Sequence, residues 1–154
     1  MNNWFRIDLR PHDVVLARDI AFRRSEGKEE YASTRRWCSG GNYHYHGVLG
    51  EMAYSKHYGV PLDTSVDAMG DCGTDLVILG RTVDVKTANY NPPILKVNSL
   101  RDIRSDLVAL AYREDDRKIW LCGFSNRDTW MSHFYTEDFG HGKRVCLKHT
   151  HLFF

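Results

Sequence analysis

The chain lacks the spacing that builds a zinc finger: its four cysteines, Cys38, Cys72, Cys122 and Cys146, are dispersed and none forms a C-x-x-C pair. A mixed set such as Cys122, His133, His141 and Cys146 matches no closed tetrahedral site either. The opening Met1-Asn2-Asn3-Trp4-Phe5-Arg6 has no basic-then-apolar layout, so an export signal and a disulfide framework are not expected. Most of the cysteines read as small buried hydrophobes. No apolar run approaches the roughly 18 residues that a membrane span needs. Low-complexity segments and internal repeats are missing. So is an excess of charge, with 21 Lys and Arg against 20 Asp and Glu. Nucleic-acid binders are often more basic than this. The expectation is an intracellular, cytoplasmic protein with no membrane partner.

What is present is enough apolar residue for one core. At 154 residues, 42% hydrophobic and 27% charged, the chain has the make-up of a single globular domain. Positive charge clusters even though the total is balanced. Arg18, Arg23, Arg24, Lys28, Arg35 and Arg36 form one group; Lys143, Arg144 and Lys148 form another. Both groups are compatible with phosphate contact and with ordinary solvated surface.

Residues 11–26 carry Val14, Ala17, Ile20 and Ala21 at helical intervals, with Pro11 at the start and Gly27 just past the end. A second helix is expected over about 43–58, with Val48, Leu49, Met52 and Ala53 as its buried stripe and Gly59 and Pro61 ending it. The small residues Gly47 and Gly50 would let that helix approach a sheet closely. Residues 75–79 and 82–87 read as two strands joined at Gly80-Arg81, a hairpin signal. Further strands are expected at 94–97, 107–112 and 118–124, a short helix at 127–135, and a final edge strand at 144–149. The class is α/β or α+β, a mixed β-sheet flanked by helices.

One constellation stands out. Strand period two puts Asp84 and Lys86 on one face and Val85 on the other, toward a core. Asp75 opens the preceding strand, so hairpin pairing brings it beside Asp84. Two carboxylates held that closely repel unless a cation lies between them, and a charge inside Val-Asp-Val-Lys-Thr costs stability unless it has a use. A hard cation such as Mg2+ keeps several waters and needs few carboxylates. A lysine beside it suits a phosphate and an attacking water. Glu51, on the second helix, is the candidate third acid. The bland alternative is a set of paired surface charges. Arg35 and Arg36 beside Trp37, and Tyr43, His44, Tyr45 and His46 ahead of Glu51, are candidate nucleic-acid contacts.

Gly47-Val48-Leu49-Gly50-Glu51 on a helix, Asp75 at a strand start, and Asp84-Val85-Lys86-Thr87 on the next strand resemble the PD-(D/E)XK nuclease superfamily. The resemblance spans roughly residues 43–125 of the single domain 1–154, with 11–26 as an N-terminal helical extension. It departs in having Thr74 where a proline usually precedes the first Asp; Asp84 in place of Glu is a permitted alternative. The resemblance implies a restriction endonuclease-like αβββαβ core and a Mg2+-dependent DNA endonuclease in which Mn2+ substitutes. It implies that Asp75 and Asp84 hold the metal with the Val85 carbonyl, that Glu51 completes the shell, and that Lys86 positions the water. The superfamily includes restriction enzymes, junction resolvases, repair nucleases and phage exonucleases, and for so small a core the resemblance implies a homodimer that cuts two strands. Two other readings compete: a catalytically silent nuclease fold that binds DNA or a protein, and a histidine-based hydrolase, for which only His44 and His46 are suitably spaced.

Overall fold

Pro11 sets the first turn of helix α1, Pro11–Glu26, and Asp13 caps it by accepting the Arg10 backbone N–H at 2.8 Å. The computed structural model describes residues 2–26, 41–63 and 74–154, leaving aside the side chains of residues 25, 26 and 41–43. Val14, Ala17, Ile20 and Ala21 are buried on one side of α1, as their spacing predicts. Helix α2, Gly41–Tyr58, buries Val48, Leu49, Met52, Ala53 and Tyr54 against the same core. Residues 27–42, a polar run ending in Ser39-Gly40-Gly41 that reads from sequence as a loop, fall mostly outside the described residues.

Among the described residues, eight strands form two sheets. The larger has the order β1-β6-β5-β3-β2, built from β1 (Phe5–Asp8), β6 (Lys118–Ser125), β5 (Leu107–Arg113), β3 (Arg81–Ala88) and β2 (Leu76–Ile78). Only β3 and β5 run parallel; the other neighbours are antiparallel. The smaller sheet has the order β4-β8-β7, from β4 (Ile94–Val97), β8 (Lys143–Lys148) and β7 (Tyr135–Asp138). Helix α3, Arg127–His133, links the two sheets, capped by the Asn126 side chain. The fold is thus mixed α+β, its main sheet flanked by helices.

Period two separates the sheet's faces. Val83, Val85, Leu107, Ala109 and Ala111 pack with α1 and α2. Ala88, Val108, Leu110 and Cys122 face the other way, onto Leu95, Val97 and Leu147 of the small sheet and Trp130 of α3. Tyr54 reaches from α2 to the bulge where the β5–β6 register shifts. Its hydroxyl donates to the Leu110 carbonyl at 2.8 Å and accepts the Gly123 N–H at 3.2 Å. A bulge leaves backbone groups unpaired, and this phenol supplies their partners. Complete burial holds its pKa well above the ordinary tyrosine value.

Three expectations change. Residues 143–148 form the centre of the second sheet rather than an edge, because β4 and β7 pair on either side. Strands β1 and β7 were not foreseen. The crossover between the parallel neighbours β3 and β5 runs through β4 and a 3-10 turn, Leu100–Asp102, where the αβββαβ order has a helix. Cys122 and Cys146 are buried, and burial pushes the Cys122 thiol up to about 12. No described helix is long and apolar enough to cross a membrane.

Candidate functional site

The β2–β3 hairpin closes through Leu79 and Gly80, both at positive φ (50° and 77°), the geometry that matches the twist of tightly joined strands. Ladder pairing begins at Leu76↔Val83, so Asp75 enters beside Asp84. Its backbone N–H donates to the Val83 carbonyl at 2.8 Å, and its Oδ2 accepts the Val85 N–H at 2.7 Å. The two bonds bracket Asp84. Here a side-chain oxygen continues the ladder at the point where backbone pairing with β2 stops.

Asp84 and Lys86 lie on one face of β3, as period two predicts, with Oδ2 and Nζ 2.9 Å apart. Val85 is buried on the opposite face in the core shared with α2. Asp75 and Asp84 are 6% and 9% exposed, whereas the Lys86 side chain is 43% exposed. The lysine side chain is therefore half-exposed while the acids are buried.

Helix α2 reaches this strand at Gly50. A Cβ built there would overlap Thr87 Oγ1 and stand 3.1 Å from the Ala111 Cβ. Only glycine permits this approach, which sets Glu51 one residue from the contact and Thr87 one residue from Lys86. At Gly47 a Cβ meets no described atom within 4 Å, so the expected role of small residues belongs to Gly50.

Glu51 is turned elsewhere. Both its oxygens accept from Arg24 Nη1 at 3.1 Å, and Arg24 Nη2 donates to the Asp63 carbonyl at 2.7 Å. Among the described residues no three His, Cys, Asp or Glu side chains gather as a metal-holding group. Asp75, Asp84 and Lys86 are brought together; Glu51 comes close by helix but not by carboxylate. Magnesium is commonly bound by one or two carboxylates with water and substrate phosphate completing its shell. The hard-oxygen pair Asp75 and Asp84, with the Val85 carbonyl, fits that requirement without Glu51.

Arg24 was not singled out from the sequence, where it is one of several arginines ending α1. With its side chain 16% and that of Glu51 7% exposed, it is a buried structural partner. Arg24→Ala is expected to cost about 2–3 kcal/mol, because it removes a charged donor from a buried carboxylate. Urea unfolding checks this, and Arg24→Lys should recover only part, since an ammonium cannot reproduce the guanidinium fork.

The other candidate contacts separate. Arg35, Arg36 and Trp37 lie outside the described residues, as does the side chain of Tyr43. Tyr45 is 6% exposed and packs in the core with Arg18 over its ring at 5.3 Å. His44 and His46 are half-buried. Burial, then the charge of Arg113, holds His46 below the ordinary imidazole range against the opposing pull of Asp116. The described cations of the first basic group are each ion-paired: the exposed Arg18 with Asp116, the exposed Arg23 with Asp19, and the mostly buried Arg24 with Glu51. Lys143, Arg144 and Lys148 make no ion pair among the described residues.

The chain matches no family model, no curated protein and no solved structure.

Proposed function

We propose that the protein is a Mg2+-dependent DNA endonuclease with a restriction endonuclease-like core, its site formed by Asp75, Asp84 and Lys86. The observation that carries this reading is the bracketing of Asp84 by Asp75, with an exposed lysine 2.9 Å from the same carboxylate. Two buried acids side by side under a solvated ammonium make a poor structural device and a good phosphate-and-water site. The antiparallel β2–β3 hairpin followed by parallel β5 supports the same reading, as does α2 packed across it.

In this proposal Asp75 and Asp84 hold the cation with the Val85 carbonyl, and Mn2+ substitutes for Mg2+. When bound, the ion supplies charge neutralisation and an acidified water. Lys86 orients the attacking water and stabilises charge on the phosphate oxygens. Glu51 acts through Arg24 and the helix position rather than by direct coordination. Each copy cuts one strand, and a homodimer cuts two.

The test uses supercoiled plasmid. Nicking should require Mg2+ or Mn2+, stop with EDTA, and fall at least about a hundredfold in Lys86→Ala. Undiminished nicking by that variant, or nicking in EDTA, would overturn the proposal. The engagement of Glu51 by Arg24 favours a second reading, a nuclease fold that binds DNA or a protein without cutting it. Plasmid retardation with no cleavage under any metal would select it.

A further inference from the structure

The small sheet has one face on the core and one that carries an ordered pattern of charge and rings. Leu95, Val97 and Leu147 point inward, so Ile94, Lys96, Arg144, Cys146 and Lys148 point outward with Tyr135 and Glu137. Register sets Lys96, Cys146 and Tyr135 in one cross-strand row. Long side chains on either side of it bury Cys146 completely, although it lies on the outer face.

Lys96 Nζ stands over two rings, 4.7 Å from the centroid of Tyr90 and 3.6 Å from that of Phe139. Lys148 lies 6.0 Å from the Tyr135 ring. Tyr90 and Phe139 remain 42% and 39% exposed, so each ring has one flank against a cation and surface left for another flat partner. Lys96, Arg144 and Lys148 have no ion pair among the described residues, against the carboxylate of Glu137 on the same face. The excess is positive.

We infer that the outer face of the β4-β8-β7 sheet is a platform for single-stranded nucleic acid, with Tyr90, Tyr135 and Phe139 stacking bases and Lys96, Arg144 and Lys148 meeting phosphates. Alternating rings and cations suit a strand whose bases are unpaired, because a duplex hides its base faces. A partner that offers only carboxylates would use the cations and leave the rings idle. Tyr90 follows Lys86 by four residues, so their Cα atoms are at most about 14 Å apart even along extended chain. The Tyr90 end of the platform is thus the end nearer the acids along the chain. The inference depends on the nuclease reading for its purpose, not for its test.

The test is fluorescence anisotropy with labelled dT15, U15 and a 15-base-pair duplex, in EDTA so that binding alone is read. The wild type should bind both single strands more tightly than the duplex, and the ratio of dT15 to U15 affinity tells DNA from RNA. Tyr90→Ala with Phe139→Ala should weaken dT15 binding at least about tenfold. Removing Lys96, Arg144 and Lys148 together should lower the log–log salt slope by about 2. Thermal melting of both variants near the wild-type midpoint would show intact folds, and Lys96→Arg should retain binding. Duplex preferred over single strands, or ring variants binding as wild type does, would overturn the platform. So would equal displacement by polyglutamate and by unlabelled dT15. If nicking persists while the platform fails, the nuclease reading stands alone; if Asp84→Asn binds dT15 normally without nicking, the two sites are separable.

Discussion

Replacing Gly50 with valine is expected to destabilise the protein by more than about 3 kcal/mol. Glycine inside a helix ordinarily concedes up to ~1 kcal/mol relative to alanine, so a substitution here would raise stability if space allowed it. Space does not allow it. The added Cβ would overlap Thr87 Oγ1, with the Ala111 Cβ at 3.1 Å and the Thr87 Cβ at 3.3 Å behind it. The hydroxyl is the softest of the three, and it is buried without a hydrogen-bond partner among the described residues. Thr87→Ala alone should therefore cost little, and in the less crowded Gly50→Ala background it should recover part of the loss. The coupling between the two sites is expected near 1 kcal/mol, read from urea unfolding of the four proteins of the cycle. Strict additivity would mean that helix and strand stand farther apart than described.

Asp84→Asn should reduce metal-dependent nicking by at least about a thousandfold, the equivalent of three tenfold steps of roughly 1.4 kcal/mol each. Its cost in stability should stay below about 1 kcal/mol. The partner ammonium is half-exposed, and exposed partners contribute little; the amide oxygen still accepts from Lys86. Calorimetric titration with Mn2+ gives a readout besides turnover, and the variant should lose measurable affinity. Nicking within tenfold of wild type, with Mn2+ binding unchanged, would remove Asp84 from the site.

How much of this was written in the sequence depends on which force holds each part. Helix α1 was legible residue for residue, because Pro11, the apolar spacing and Gly27 are local signals. The β2–β3 hairpin was legible for the same reason, although its turn falls at Leu79-Gly80 and not at the expected Gly80-Arg81. The pairing of Asp84 with Lys86 followed from strand parity alone. Strand β7 was not legible: Thr136, Glu137 and Asp138 are exposed, and only pairing with β8 makes Tyr135–Asp138 extended. For the same reason the sequence of 144–149 reads as an edge, its second neighbour having no apolar pattern to announce it. The direction of Glu51 was hidden too. Its partner Arg24 lies 27 residues away on another helix, and nothing local distinguishes that arginine from its neighbours.

The bond from the Val85 amide has one more implication. A carboxylate owns two oxygens, and in Asp75 one of them is committed to the backbone of β3. That commitment fixes the plane of the group, so the heading of its second oxygen follows from the strand itself and not from a freely turning torsion. The entropy of aiming this acid is therefore spent when the chain folds, so that in the proposed site a cation would meet a carboxylate already oriented.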